Sequence, residues 1–466
     1  MQKLAAALAA ALVLPGCVGP ALQHAVQPPE LPARWAGGQM HQHAADVVTQ
    51  DWWRSFGSAE LDGLIAQAQR QSWDVAAAVA RVHQARASAR HAGAALFPEV
   101  TAELNAARQG RLDSHSDAAG NAFKAGLSAS YELDFWGRNA SARDAAQAAL
   151  QASVYDRDTV RLTVTAAVAS AWLGSQALQE REGIAQANLA TAQRLLQLVE
   201  ARARLGAATA VELAQQRGLV AAQQRTLALL RQQQAQSLTA LALLLGQAES
   251  LALAPAKLTL LNVPDIQQGE PAALLTRRPD IARAEASLAA AQANLQVARA
   301  AMLPRVTLSA QIGSGDDSLR RVFDNPLYTL AAGLAAPIFD AGRLAADRDL
   351  ADARREELLA GYRQTIVQAF GDVQSALHTV AGTRDQAQAQ AQELAQARKA
   401  LTLAEARYRA GGETLMSLLA TQQTLYQAQD LAVQLHQQRL LASVGLYKAL
   451  GGGWEQVVAA GTGPGD

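Results

Sequence analysis

The feature of this sequence that most restricts its fold is an internal duplication with a spacing of about 205 residues. The segment "LFPEVT" at 96–101 returns as "MLPRVT" at 302–307, and "RARLGAATAVEL" at 202–213 returns as "RYRAGGETLMSL" at 407–418. Two further pairs keep the same order and nearly the same offset, namely "AGLSASYELDFWGR" with "AGLAAPIFDAGR" and "LLLG" with "YKALG". The chain is therefore expected to fold as two copies of one plan.

Each copy is predicted to contain two β-strands of about ten residues. In the second strand, apolar residues recur at every other position from Phe123 to Leu133, and polar residues such as Ser128 and Glu132 lie between them. This length and alternation are typical of a transmembrane β-strand with one face in lipid and the other in water. The four predicted strands cover 99–108, 123–134, 304–313 and 327–339.

The remainder of each copy predicts unusually long helices. No proline occurs between Pro98 and Pro255 or between Pro337 and Pro464, and Ala, Gln and Leu are abundant there. Helices are predicted over 137–204, 209–245, 342–409 and 414–450. The two longer ones would each be on the order of 100 Å long. Helices of this length must pack lengthwise against others, as in a coiled coil.

Helix and strand follow one another with almost no loop. Pro98 and Pro304 are predicted to end an incoming helix where a strand begins, and Gly137 and Gly342 to mark the return from strand to helix. Four strands cannot close a membrane barrel, because the smallest barrels need about eight and lipid does not tolerate open edges. Three chains would supply twelve strands in a closed ring, continued by a barrel of helices.

The N-terminal residues predict an exported protein with a lipid anchor. Lys3 precedes the apolar run "LAAALAAALVL", and "LPGC" then ends in Cys17, the single cysteine of the chain. This is the arrangement of a bacterial lipobox, in which the cysteine is acylated more than once and gives stable anchoring. The alternative is an ordinary signal peptide, and Pro15 is unusual for a lipobox. Val18 in the next position is compatible with sorting to the outer membrane.

Composition and motifs count against other classes of function. Basic and acidic residues number 41 each, whereas a nucleic-acid-binding protein would show a basic excess. The sequence has no nucleophile elbow, zinc helix or phosphate loop, so neither an enzyme nor a cofactor is predicted. "MHQH" at 40–43 offers copper or silver ligands, but its Pro- and Gly-bearing surroundings favour a spacer, and no metal site is predicted.

Several segments carry a family resemblance: "LLTRRPDIARAEASLAAAQANLQVARAAMLPRVTLSAQIG" at 274–313, "WWRSFGSAELDGLI", "YELDFWGR" and "PIFDAGR". From Cys17 to about Gly452 the chain resembles the TolC-like outer membrane factors, in the lipoprotein branch of NodT or OprM type. The resemblance implies a homotrimer embedded in outer-membrane lipid that docks to a periplasmic membrane-fusion adaptor and an inner-membrane RND-type pump.

The expected fold class is mainly α with a small β part. A homotrimeric 12-stranded transmembrane β-barrel, with four strands from each chain, continues into a long periplasmic α-helical barrel with an equatorial mixed region. Along the chain we predict a signal peptide (1–16), a lipidated segment (17–50), a first repeat (51–255), a linker (256–270), a second repeat (271–455) and a flexible tail (456–466).

The turns between the long helices, "RLGAAT" at 204–209 and "RAGGET" at 409–414, are predicted to form the periplasmic tip. Gly206 and Gly411 occupy matching positions, and as C-cap glycines they would adopt the left-handed conformation. Turn geometry alone accounts for part of their presence. The resemblance implies in addition that the adaptor docks at Arg204, Gly206, Arg409 and Gly411.

A pore gate is predicted one or two helical turns past Gly411, where Met416 would form an apolar constriction. The resemblance implies acidic residues at the positions of Ser417 and Ala420, which this chain lacks, so no acidic ring is predicted there. By the same resemblance, Tyr408 and Glu212 match a tyrosine and an acid that link neighbouring helices in closed relatives. The alternative is that both are simply solvated side chains. The predicted gate residues are Met416, Tyr408, Glu212, Val211, Ser417 and Ala420.

The predicted function is that of an outer-membrane exit duct of a tripartite efflux pump, through which small molecules pass passively. One alternative is a duct of the same fold for type I protein secretion, against which the lipobox and "RRPDIARAE" count. The other is a structural coiled-coil lipoprotein, which would have unbroken helix in place of the strands. The cargo stays open among drugs, metals, aromatic acids and lipids.

Overall fold

The computed structural model describes residues 48–110, 120–249, 251–266 and 269–455, together with Pro29, Pro32, Arg34 and Trp35. The predicted signal peptide, Cys17, the "MHQH" segment and the tail 456–466 lie outside the described residues.

The helices of the two copies have equal lengths. Helix α1 (Ala59–Gln71) comes first. The paired helices, in chain order, are α2 (Trp73–Ala94) and α5 (Pro279–Ala300) with 22 residues each, α3 (Arg138–Arg204) and α6 (Arg343–Arg409) with 67 each, and α4 (Ala210–Leu244) and α7 (Leu415–Ala449) with 35 each. Among the helices of the described residues, none has an apolar stretch long enough to cross a membrane.

Four strands form one antiparallel sheet in the order β1-β2-β3-β4. Their bounds are Glu99–Gln109 (β1), Gly120–Leu133 (β2), Arg305–Asp316 (β3) and Leu327–Ala335 (β4). The first two strands belong to one copy and the last two to the other, and β2 pairs with β3 where the copies meet. The presence of this sheet contradicts the alternative of a structural coiled-coil lipoprotein with unbroken helices.

The strand register places apolar residues from all four strands on one face of the sheet. Leu104 lies opposite Ala125, Leu127 opposite Ile312, and Ile312 opposite Tyr328, and residues paired across strands share a face. The apolar face thus contains Val100, Ala102, Leu104, Ala106, Phe123, Ala125, Leu127, Ala129, Tyr131, Leu133, Val306, Leu308, Ala310, Ile312, Tyr328, Leu330, Ala332 and Leu334. Large side chains on this face are exposed in the single chain, including Leu104 at 85% and Tyr328 at 78%.

The predicted ends of three strands need correction. Strand β4 ends at Ala335 and not at 339, because Pro337 has no N–H to donate to a ladder. Strand β2 begins at Gly120 and β3 ends at Asp316, three residues beyond the predicted ends. The reason is pairing across the sheet, since Gly120 lies opposite Gln109 in β1 and Asp316 lies opposite Phe123 in β2, although the added residues show no apolar alternation.

Each helix-to-strand change occurs within four residues. Helices α2 and α5 end in a short turn in which successive N–H groups bond back over three residues. Pro98 and Pro304 then directly precede β1 and β3. At the same end of the sheet, the indole N–H of Trp136 donates to the carbonyl of Pro304 at 2.7 Å. This bond joins the strand-to-helix junction of the first copy to the helix-to-strand junction of the second.

The change from strand back to helix takes place at a glycine in the left-handed region, with φ of 69° at Gly137 and 83° at Gly342. An aspartate before each glycine caps the long helix that follows. The carboxylate of Asp134 accepts from the N–H groups of Asn139 and Ala140. Asp340 accepts in the same way from Gly342 and Leu344. The caps satisfy donors that the first helical turn leaves free.

Two compact units divide the chain. One contains the sheet and is formed by Ala85–Leu150 and Ala286–Arg363. The other contains Gln151–Glu285 with the described residues between Pro32 and Gln84 and those after Arg363. Its main core joins Trp52, Phe56 and α1 to side chains of α3 and α7, among which Trp172, Leu173 and Leu440 are completely buried.

Candidate functional site

The turns after α3 and α6 have the same backbone structure. Gly206 donates to the carbonyl of Ala203, and the next residue, Ala207, donates to Arg202. At the second turn Gly411 and Gly412 repeat this pair of bonds. Both patterns are Schellman motifs, which require a left-handed residue at C′, and φ is 69° at Gly206 and 77° at Gly411. No other atom lies within 4 Å of the position a Cβ would take at either glycine. The glycines are therefore required by the backbone conformation of the turn and not by a close contact, and the surface around them is open.

A threonine caps the helix that follows each turn. The Oγ1 of Thr209 accepts from the N–H of Glu212 at 3.2 Å, and Oε2 of Glu212 accepts from the N–H of Thr209 at 2.6 Å. This reciprocal pair is a capping box. In the second copy the Oγ1 of Thr414 accepts from the N–H of Ser417 at 3.2 Å, and the N–H of Thr414 donates to the carboxylate of the preceding residue, Glu413, at 3.3 Å. The pattern T-x-x-E at 209–212 is a sequence signal for this cap, whereas the family resemblance assigns Glu212 to the gate.

Tyr408 and Glu212, both among the described residues, do not hydrogen-bond to each other within the chain. Tyr408 is 5% exposed, and the guanidinium of Arg202 lies over its ring at 5.0 Å from the centroid. A cation at this distance is attracted by the negative face of the ring. Arg202, which the sequence did not single out, therefore links the end of α3 to the end of α6.

The tip has an apolar core of its own. Val199, Leu401, Tyr408, Leu415 and Leu418 are buried against one another there. The core leaves the matching positions Val211 and Met416 outside, at 64% and 58% exposed. Ser417 is half-buried and Ala420 is exposed. Of the predicted gate residues, Val211, Met416 and Ala420 thus present their side chains to whatever surrounds a single chain, whereas Tyr408 belongs to the core.

Charges at the tip are only partly paired. Arg409 forms an ion pair with Glu405 at 3.6 Å, and Arg407 with Glu413 at 3.7 Å. Arg204 is exposed and has no ion-pair partner among the described residues. Exposed pairs of this kind contribute little to stability. The turns therefore present cationic side chains among exposed residues.

Above the tip, polar side chains hold α3 to its neighbours. The amide of Gln216 in α4 donates to the carbonyl of Ala192 at 2.7 Å, and the hydroxyl of Tyr426 in α7 donates to the carbonyl of Asn188 at 3.3 Å. Burial, with a smaller contribution from the charge of Glu405, raises the pKa of Tyr426 to about 12. The hydroxyl consequently remains a donor at any physiological pH.

A cluster that sequence reasoning did not assign surrounds Arg278, within the "RRPD" motif. The Nε and Nη2 of Arg278 donate to the two carboxylate oxygens of Asp280 at 3.0 and 2.7 Å, and Nη2 also donates to Asp372 at 3.2 Å. The Nη1 donates to the carbonyl of Ala449, in the last turn of α7, at 3.0 Å. Burial alone would raise the pKa of Asp280, but the hydrogen bond and charge of Arg278 hold that pKa below its usual range. The motif thus has a structural role, since its arginine caps α7 and joins it to α6.

Comparison with known proteins assigns the chain to a family. The profile of the family described as outer membrane efflux protein matches residues 64–247 and 271–452. The chain is similar to the pyoverdine export outer membrane protein OpmQ of Pseudomonas putida, with 52% identity covering 91% of this chain and 92% of that protein. It is 50% identical to OpmQ of Pseudomonas aeruginosa, with 91% of both chains covered.

A solved structure gives the same assignment. The open state of the MtrE outer membrane channel of Neisseria gonorrhoeae superimposes with a TM-score of 0.84 and 27% identity, covering 92% of this chain and 97% of that one. The family profile spans both copies, and two relatives are at least half identical over nearly the whole length. The chain belongs to the outer membrane efflux protein family and is an efflux channel of the outer membrane that extends into the periplasm.

Proposed function

We propose that three copies of this chain close into one duct, in which the four-stranded sheets form a twelve-stranded barrel in the outer membrane. The observation that carries this proposal is the register, which aligns apolar residues of all four strands on one face and places mainly polar residues of β1, β2 and β3 on the other. One face then meets lipid and the other meets water. Strands β1 and β4 are the two edges of the sheet in a single chain, and pairing between neighbouring chains removes those edges.

The four long helices of each chain form the periplasmic part of this duct. Helices α3 and α6, with 67 residues each, are on the order of 100 Å long. Equal helix lengths in the two copies fit a ring in which each copy contributes the same set of helices. The predicted division into a first repeat (51–255), a linker (256–270) and a second repeat (271–455) is part of this proposal.

The turns at Gly206 and Gly411 form the docking tip for a periplasmic adaptor, with Arg204 and Arg409 beside them. Support comes from the two identical motifs, whose surfaces stay open around the glycines, and from the unpaired charge of Arg204. The adaptor in turn joins the duct to an inner-membrane RND-type pump. Cys17 is the proposed lipid anchor that holds the chain at the outer membrane.

The gate of the closed duct lies close to these turns, at the proposed docking tip. The exposed side chains of Val211 and Met416 narrow the pore when three copies bring them together, with Ser417 and Ala420 beside them in place of an acidic ring. Oε1 of Glu212 and the hydroxyl of Tyr408 have no hydrogen-bond partner among the described residues of one chain. Both groups are therefore available for a bond between neighbouring chains, which adaptor docking would break.

The proposed cargo is a siderophore of the pyoverdine type. Support comes from the two relatives named as pyoverdine export proteins, at 52% and 50% identity over most of both chains. A duct sees whatever its pump delivers, so the cargo proposal is also a proposal about the partner pump.

Complementation tests the cargo. A Pseudomonas aeruginosa strain lacking OpmQ receives this chain or an empty vector, and pyoverdine fluorescence is measured in the medium and in the periplasmic fraction. We expect the chain to lower the periplasmic signal and raise the extracellular one. An unchanged ratio, with the protein present in the outer membrane, would contradict the siderophore assignment and leave the duct itself in place.

A further inference from the structure

The helical unit contains a cavity of about 630 Å³ that the proposed duct function does not use. Four helices contribute to its wall. Helix α3 contributes Thr159, Leu162 and Thr163, and α6 contributes residues at helical spacing that include Asp372 and Thr379. The start of α5 and the last turns of α7 close the remaining sides. The volume and the mixture of apolar and hydroxyl side chains are those of a site for a drug-sized molecule.

Helix α7 uses different faces for the core and for the cavity. Leu440, Val444 and Tyr447, spaced by four and three residues, pack into the main core of the unit. Gly445 and Lys448 lie on a face turned away from that core and line the cavity. No atom lies within 4 Å of the position a Cβ would take at Gly445, so the cavity wall is open there. A glycine inside a helix is destabilising relative to alanine, and no close contact within the chain requires a glycine at position 445.

The charged groups of Arg278, Asp280 and Asp372, which line the cavity, already have hydrogen-bond partners. All three nitrogens of Arg278 donate to Asp280, Asp372 or backbone carbonyls, and Gln368 donates to the remaining oxygen of Asp372 at 2.8 Å. This cluster has one negative charge in excess. It cannot attract an anion, and it offers a ligand no free donor.

Lys448 is the free charge of the cavity wall. The residue is exposed and has no ion-pair partner among the described residues. Thr163 of α3, Thr379 of α6 and Gln438 of α7 also line the cavity. A molecule in the cavity would therefore place an anionic group at Lys448 and its apolar part against Leu162 and Leu441.

We propose that this cavity binds a partly apolar organic anion, such as an aromatic carboxylate, phenolate or sulfonate, with Lys448 as the residue that holds its charge. The identification of that ligand with cargo in transit rests on the proposed duct function, whereas binding itself does not. A contact of this kind would let the wall of the duct discriminate weakly among the molecules that pass it.

Binding is tested with anilinonaphthalenesulfonate, an aromatic sulfonate whose fluorescence rises in an apolar site. The full-length protein is placed in lipid nanodiscs, empty nanodiscs supply the background, and saturable binding is measured. Gly445→Phe fills the cavity, and Gly218→Phe is the matched control because Gly218 is also an exposed helical glycine with open space around it. Lys448→Gln removes the charge at an exposed position where folding is not at risk.

We expect saturable binding by the wild type and by Gly218→Phe, loss of binding in Gly445→Phe, and affinity weakened about tenfold in Lys448→Gln, since that variant loses a hydrogen bond between charged groups. Equal binding by all variants, or no saturable binding by the wild type, would overturn the proposal. Pyoverdine export by the same variants is measured separately, so a wrong cargo and a wrong site give different results.

Discussion

At the residue scale, glycine and proline positions were the most informative part of the sequence. Gly206 and Gly411 were expected in the left-handed conformation, and both adopt it. This was predictable because a single conformational requirement selects the residue, with no need to know its neighbours. The contact between Arg202 and Tyr408 was not predictable, because the two residues are far apart in the chain. An arginine can equally remain in solvent and a tyrosine can equally pack in a core without such a partner.

Alanine at either turn glycine should destabilise the chain without a steric clash. Left-handed backbone costs an alanine about 1–2 kcal/mol, and the open space around Gly206 and Gly411 adds nothing to that cost. Gly218→Ala, in the interior of α4, should instead stabilise the helix by about 0.5–1 kcal/mol. Thermal denaturation of the purified protein measures both. Equal effects at turn and helix would show that the turns do not need the left-handed conformation.

Removing the hydroxyl of Tyr408 should loosen the closed gate. Tyr408→Phe keeps the ring under Arg202 but loses the proposed bond to Glu212 of a neighbouring chain, so uptake of a large hydrophilic antibiotic should rise. Glu212→Gln keeps a capping side chain and should raise uptake similarly. The double variant should do no more than either single change, because both remove the same bond. Additive effects would show that the two side chains act separately.

Acid should weaken the cluster at Arg278. The folded pKa of Asp280 is lowered, so its contribution to stability is present above the unfolded pKa of about 4 and is lost as the pH falls through the folded value. Asp280→Asn should lower stability at pH 7 by about 2 kcal/mol or more and flatten the loss below pH 4. The control is Asp385→Asn, at an exposed carboxylate. A wild-type acid profile in Asp280→Asn would contradict this account.

At the scale of elements, existence and order were predictable while strand ends were not. Helices α3 and α6 begin within one residue of the predicted position and end where expected, because a long proline-free stretch followed by a glycine turn leaves little choice. Strand ends depend on the partner strand. Pairing carries β2 and β3 through glycine and polar residues that show no alternation, and Pro337 stops β4 earlier than its apolar neighbours suggested.

The two faces of the sheet should respond differently to the same charge. Leu104 and Asn105 are neighbours in β1 with opposite orientation. Arginine on the lipid face of a barrel costs about 2–4 kcal/mol near the middle of the membrane, so Leu104→Arg should sharply reduce folded protein in the outer membrane. Asn105→Arg should be tolerated. Membrane fractionation with heat-modifiability on gels measures both, and equal loss would mean that the apolar face does not meet lipid.

At the scale of the whole molecule, the duplication explains why two sets of helices match residue for residue in length. It does not reveal what the copies build together. The Arg278 cluster joins α5, α6 and the end of α7, and the cavity adds α3. The cluster joins residues as far apart as Arg278 and Ala449, and the cavity lining runs from Thr159 to Ala449. Sequence reasoning could quote "RRPD" as part of a resemblance, but the physical role of its arginine required the fold.

Photo-crosslinking from the tip in living cells tests most directly whether this chain is a duct that docks to a periplasmic adaptor. A photoreactive residue at Gly412, which is exposed and where a Cβ makes only ordinary contact, is compared with the same residue at Gly218 on the side of α4. We expect a periplasmic adaptor of an RND-type pump to be captured from position 412 and not from position 218. Capture of the adaptor from neither position, or equally from both, with the protein correctly placed in the outer membrane, would contradict this expectation.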